Sequence, residues 1–203
     1  MRFMSFAATV FLLLTVIRPG IADESAKPDA TKPAETAKVE TTEVTLKDMV
    51  LNIPSTWKAE ANASSMRLAT YSIPAVEGDK EPGELSVFNF GGGGGSVSDN
   101  LGRWIGQFSS EGRTVKVTKG QAGDNEYYTA DIAGSYNRPV GPPVLRKTEL
   151  AENYRMLAVI LVLEGKGVYY LKLAGPDATI KAEAKSFRAS FGGDIKSEKE
   201  FEI

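Results

Sequence analysis

Residues 154–163 read YRMLAVILVL and are apolar at almost every position. A strand with one wet face alternates apolar and polar residues. A strand with no polar phase has both faces covered. The chain must therefore set this segment inside a sheet that carries cover on each side. Gly165-Lys166-Gly167 then turns it into Val168–Leu173 (VYYLKL), the second arm of a hairpin.

The remaining pattern is mixed. Val44–Leu46 and Met49–Ile53 flank Lys47-Asp48 as a hairpin closed by Pro54, and Met66–Ile73 alternates up to Pro74. Leu85–Phe90 reads as a central strand. Thr114–Lys119 and Glu126–Tyr136 follow, parted by a turn over 120–125, and Val144–Leu150 reads as one more strand. Two segments are helical. In Ser98–Ser110 the residues Leu101, Trp104, Ile105 and Phe108 form one apolar stripe, with Ser96 or Ser98 as the cap. Ala178–Phe191 carries Ile180, Ala184, Phe187 and Phe191, with Asp177 as the expected N-cap and Gly192-Gly193 as the stop. The expected class is α+β in layers: a twisted, mostly antiparallel sheet with helices after its third and last strand groups.

The chain divides by composition. Residues 1–22 read as a secretory signal peptide: Arg2 is the positive end, 6–17 the apolar run, and Gly20-Ile21-Ala22 the small-residue cleavage site. A single membrane anchor is the alternative for this segment. Residues 23–41 are rich in Ala, Lys, Pro, Thr and acids, and read as a disordered linker. Residues 42–192 form the domain, and 193–203 are expected to fray. The chain is expected to be exported, periplasmic or secreted, with no stable membrane insertion once the leader is cut.

The 203 residues include no Cys and no His. That removes disulfides, thiolate nucleophiles, Ser-His-Asp triads and His- or Cys-based zinc sites. A formal net charge of −2 argues against a nucleic-acid partner. Ser55-Thr56-Trp57-Lys58 and Ser98-Asp99-Asn100 match two elements of penicillin-recognising serine enzymes, but Lys147-Thr148-Glu149 lacks the glycine of the third. No cofactor and no metal site is expected, and no enzyme activity.

The candidate binding residues begin with the run Gly91, Gly92, Gly93, Gly94 and Gly95, which follows a strand and opens a helix. Backbone N–H groups at such a junction attract anions. The alternative is a flexible crossover, since Asp99 in the first turn opposes an anion and no Gly-Lys-Ser/Thr follows. Asn100 and Arg103 project beside the run from the helix flank. Asn137 and Arg138 open a loop, 137–143, rich in Pro and Gly.

Several local patterns resemble the PsbP-like fold family: Leu51–Lys58 (LNIPSTWK), Met66–Pro74, and Tyr169–Pro176 (YYLKLAGP) followed by a helix ending in Ser186-Phe187. The block 91–108 is similar to uncharacterised exported bacterial proteins, notably planctomycete ones. The resemblance implies an α/β/α sandwich, with the central sheet flanked by helices. It also implies a non-enzymatic accessory protein that binds a larger protein partner, and it transfers no site residue. A small-ligand carrier with a pocket between sheet and helix, lined by Trp104, Phe108 and tyrosines, is the alternative. A hydrolase using carboxylates alone comes third.

Overall fold

The apolar run at 154–163 lies inside one strand, and the rest of the fold is built outward from it. In chain order the elements are β1 (Thr41–Leu46), β2 (Met49–Pro54), β3 (Lys58–Glu60), β4 (Arg67–Ile73), β5 (Gly83–Phe88) and α1 (Val97–Ile105). They continue with β6 (Thr114–Ala122), β7 (Asn125–Pro139), β8 (Thr148–Leu163), β9 (Gly167–Pro176), α2 (Asp177–Ser190) and β10 (Asp194–Glu200). The computed structural model describes residues 39–91, 93–141, 145 and 147–203. The expected signal peptide, nearly all of the expected linker, Gly92 and residues 142–144 lie outside the described residues.

Eight strands form one sheet in the order β10-β6-β7-β8-β9-β5-β4-β3, and every neighbouring pair is antiparallel. β1 and β2 pair as a separate hairpin. Its turn residue Lys47 takes a φ of 54°, the left-handed conformation a two-residue hairpin loop requires. In β8, Met156, Ala158 and Ile160 point to one face while Leu157, Val159 and Leu161 point to the other, and all six are buried. The first face packs on Leu101, Trp104 and Phe108 of the α1 segment. The second packs on Met49, Leu51 and Ile53 of β2 and on Ile180 and Phe187 of α2.

The expected α/β/α sandwich is overturned. Ten strands and two helices form among the described residues, so the protein is mostly β, although the sheet is antiparallel as expected. Among the described residues, one face shares its cover between α2 and a β-hairpin, and the other is covered by the nine-residue α1 with Phe108 and Phe201. A nine-residue helix is about 14 Å long. Eight strands at their usual spacing span about 34 Å. α1 therefore cannot roof its face, and β4, β5 and the end of β9 are left open on that side.

Other expectations shift at their boundaries. The turn between β6 and β7 is only Gly123-Asp124, because residues 120–122 stay paired in β6. The strand expected at 144–150 is the start of the long β8. α1 begins at Val97 with Ser96 as its cap. α2 begins at Asp177, which is not its cap: Asp79 accepts the Thr179 N–H at 2.9 Å instead. The tail expected to fray pairs with β6 as β10. No helix among the described residues is long and apolar enough to cross a membrane.

Candidate functional site

The uncovered part of the α1 face is a cleft of about 670 Å³. Its floor follows from strand register. Thr70, Ser86, Lys172, Ala158 and Ala130 lie directly opposite one another across β4, β5, β9, β8 and β7. Strand residues two apart share a face. Lys172 therefore points the same way as Tyr170 and Ala174, onto the side where α1 falls short. The cleft is lined by Lys172, Arg67, Glu84, Tyr136, Arg138 and Tyr154, among others.

Two of the three cations in this cleft, Arg67 and Arg138, have a carboxylate partner close by. Arg67 donates to Glu84 at 2.9 Å, and Ser86 donates to the same carboxylate at 2.7 Å. Arg138 donates to Glu81 at 2.7 Å and to Glu149 at 3.3 Å, and its guanidinium also reaches the Tyr154 hydroxyl at 3.1 Å. Lys172 forms no ion pair among the described residues. Its ammonium donates to Gln107 Oε1 at 2.8 Å and to the Tyr136 hydroxyl at 2.9 Å, both neutral groups. Burial disfavours the charged form, and the Lys172 ammonium is lowered to about 8. Burial likewise pushes Tyr136 and Tyr154 up to about 12. The two rings stack with centroids 5.9 Å apart and make an aromatic wall beside the lysine.

The expected site residues fall into separate places. Asn100 is buried and holds the glycine loop. Its amide donates to the Gly94 carbonyl at 2.7 Å and to the Ser96 carbonyl at 2.9 Å, and its oxygen accepts from Arg103 at 3.2 Å. Gly94 is a glycine for a packing reason, because a Cβ there would run into the Tyr170 hydroxyl. Gly91 and Gly95 take positive φ, and Gly93 donates to the Phe90 carbonyl at 3.1 Å. Gly91, Gly93, Gly94, Gly95, Asn100 and Arg103 thus belong to one corner of the molecule. Asn137 is a β7 residue whose backbone N–H donates to the Gln107 carbonyl beyond the other end of α1. Arg138 stands in the cleft wall, apart from the glycine corner. Trp104 and Phe108, expected to line a pocket between sheet and helix, are packed into the core beside the cleft.

Lys172 is the residue that the sequence reading passed over. In VYYLKL it looks like an ordinary polar phase of a hairpin arm. The signal was that Tyr170 and Ala174 share its face, so the charge interrupts a face whose other members are suited to burial.

Among the described residues, the cleft on this antiparallel sheet holds one cation without a carboxylate partner. No family model and no curated protein matches the chain. The solution structure of cyanobacterial PsbP (CyanoP) from Synechocystis sp. PCC 6803 is similar in chain path, with 15% identity, a TM-score of 0.45, and coverage of 86% of this chain and 99% of that one. That neighbour bears the family name of the resemblance drawn from the sequence. At this level of likeness nothing about function rests on it.

Proposed function

We propose that this protein is an exported, non-enzymatic binding protein that holds a small anionic ligand with an apolar or aromatic body in the cleft on the α1 face. The observation that carries the reading is the Lys172 ammonium on the cleft floor, hydrogen-bonded to neutral groups and facing open space. A cation withdrawn from water without a counter-charge destabilises the fold. An anion seated above it restores the balance, and the Tyr136–Tyr154 wall offers contact for the ligand's apolar part. Export rests on residues 1–22, read as a leader.

Benzoate is a suitable probe because it joins one carboxylate to one ring. Its addition at pH 7 is expected to raise the melting midpoint of the wild type in a concentration-dependent way. Lys172→Met is expected to lose that rise. An equal response in both proteins, or none in the wild type, would remove the cleft as an anion site.

Contact with a larger protein partner through the glycine corner is a second reading. Phe90 favours it: the ring is 41% exposed and touches Tyr170 beside the loop. The double variant Phe90→Ser, Arg103→Glu is expected to lose partners captured by the wild type from an exported fraction. Capture of the same partners by both would end this reading.

A further inference from the structure

Lys172 has the surroundings of a reactive amine. Its Nζ is held by two neutral acceptors, Gln107 Oε1 at 2.8 Å and the Tyr136 hydroxyl at 2.9 Å, so it stays aimed on the cleft floor. The charged groups that face it are Arg67 and Glu84 across β4 and β5, and these two are tied to each other at 2.9 Å. The opposite strands present only the methyls of Ala158 and Ala130 in its row. No side chain in that row is larger than Lys172 itself, and Lys172 lines the cleft of about 670 Å³. A lysine that serves only packing or solubility has no need of this arrangement. An amine that must attack a bound molecule needs it: orientation, partial desolvation and open space on one side.

We infer that Lys172 is a nucleophile that captures the carbonyl carbon of its ligand as an imine, the ligand being a small oxo acid. The inference rests on the anion-binding reading of the same cleft, and adds to it the chemical class of the ligand. The carboxylate is drawn by the ammonium, which brings the neighbouring carbonyl to the nitrogen. The ammonium first gives a proton to solvent. The neutral Nζ then attacks the carbonyl carbon, the N–C bond forms, and the carbonyl π pair moves to oxygen. Water in the cleft carries one proton from nitrogen to that oxygen, giving the carbinolamine. A second proton from solvent converts the hydroxyl to water. Water leaves as the nitrogen lone pair closes the C=N bond, and the iminium can return its proton to solvent. Amine and carbonyl become imine and water, with no oxidant or reductant. Gln107 and Tyr136 are positioning residues in this step. The amine is lowered to about 8 by its burial, which leaves about half of it neutral at pH 8, against less than about 1% of an ordinary lysine.

The test uses the folded wild-type protein with glyoxylate and sodium cyanoborohydride at pH 8, read by peptide mass mapping. The reductant fixes any imine as a carboxymethyl group on the lysine that formed it. Lys172 is expected to be modified at least about tenfold faster than the exposed Lys58 and Lys166, because the cleft aims its amine at the bound carbonyl. Benzoate is expected to slow modification at Lys172 and leave the other two unchanged. Modification of Lys172 no faster than of Lys58 and Lys166 would overturn the inference. Lys172→Arg separates the two claims, since it keeps a cation for benzoate but cannot form an imine. If benzoate still stabilises this variant while wild-type Lys172 shows no preference for glyoxylate, the nucleophile is refuted and the anion site stands. Preferential trapping at Lys172 with no response to benzoate would instead support the nucleophile and remove the carboxylate from the ligand's description.

Discussion

Lys172 makes the cleft a weak point of the fold. Its folded-state value of about 8 lies below the value of about 10.4 for an unfolded lysine. Between those two values the unfolded chain binds more protons than the native one, so stability rises with pH across that window. Below pH 8 both states are protonated, and the full penalty, at most about 3 kcal/mol, is present. Lys172→Met is therefore expected to stabilise the protein at pH 7 by about 1–3 kcal/mol, as apolar replacements of buried charges often do. Most of that gain should vanish at pH 10. Urea denaturation of both proteins at the two pH values decides it; a gain that does not change with pH would show that the charge is not the cause. At this scale the sequence was only partly legible. Gly94 and Asn100 stood out as candidate binding residues, and the structure joins them to each other. Asn100 bonds the carbonyls of Gly94 and Ser96 and so faces inward. Helical spacing shows which residues share a flank and not what the flank meets.

Among the elements, β10 shows best what a one-dimensional pattern conceals. DIKSEKE has the composition of a solvated tail, and on an edge strand charged residues also guard against pairing with other chains. What holds the strand is a contact distant in sequence. Glu198 accepts from Arg188 of α2 at 2.6 Å and from the Tyr127 hydroxyl at 2.9 Å, with both members of the ion pair largely buried. Burial alone would raise the Glu198 carboxyl, but Arg188, Tyr127 and Thr118 hold it below its ordinary value. An acid lowered in this way contributes stability above its unfolded value, and loses it as pH falls through the folded one. Glu198→Gln is expected to destabilise the protein by about 3–5 kcal/mol at pH 7, because it leaves Arg188 as an uncompensated buried charge. The difference from wild type should shrink below pH 4. Chemical denaturation at pH 7 and pH 3.5 checks this; a cost under about 1 kcal/mol, the value of an exposed pair, would mean that β10 is held by its backbone alone. The strands with strong alternation, β2, β4 and β9, were legible because one residue type recurs on one face. α1 was legible in its stripe but not in its length: it stops at Gly106, short of the expected Ser110.

At the scale of the whole molecule, the cleft and the instability have one origin. A short helix set against a wide sheet leaves several strands without a roof, and those strands carry Thr70, Ser86 and Lys172 where a core would carry methyl groups. Neither the width of the sheet nor the reach of α1 is written in any local pattern. The fold class was therefore misjudged, and the cleft could not be foreseen, even though most of its strands were recognised. In the proposed function the charge that weakens the empty protein also attracts the ligand, so the two properties are expected to vary with pH in opposite directions. From pH 7 to pH 9 the empty protein gains stability as Lys172 loses its proton. Over the same range the protonated fraction falls about tenfold, and benzoate affinity should weaken by about the same factor. Tyr136 and Tyr154, raised to about 12, keep their protons throughout, so the change tracks the lysine. Calorimetric titration with benzoate at the two pH values, beside melting curves of the unliganded protein, measures both trends. Affinity that holds constant while stability rises would place the anion somewhere other than Lys172. Affinity that weakens while stability rises would mean that the cleft is kept strained by its empty state and relaxed by its occupant, as a site maintained for binding should be.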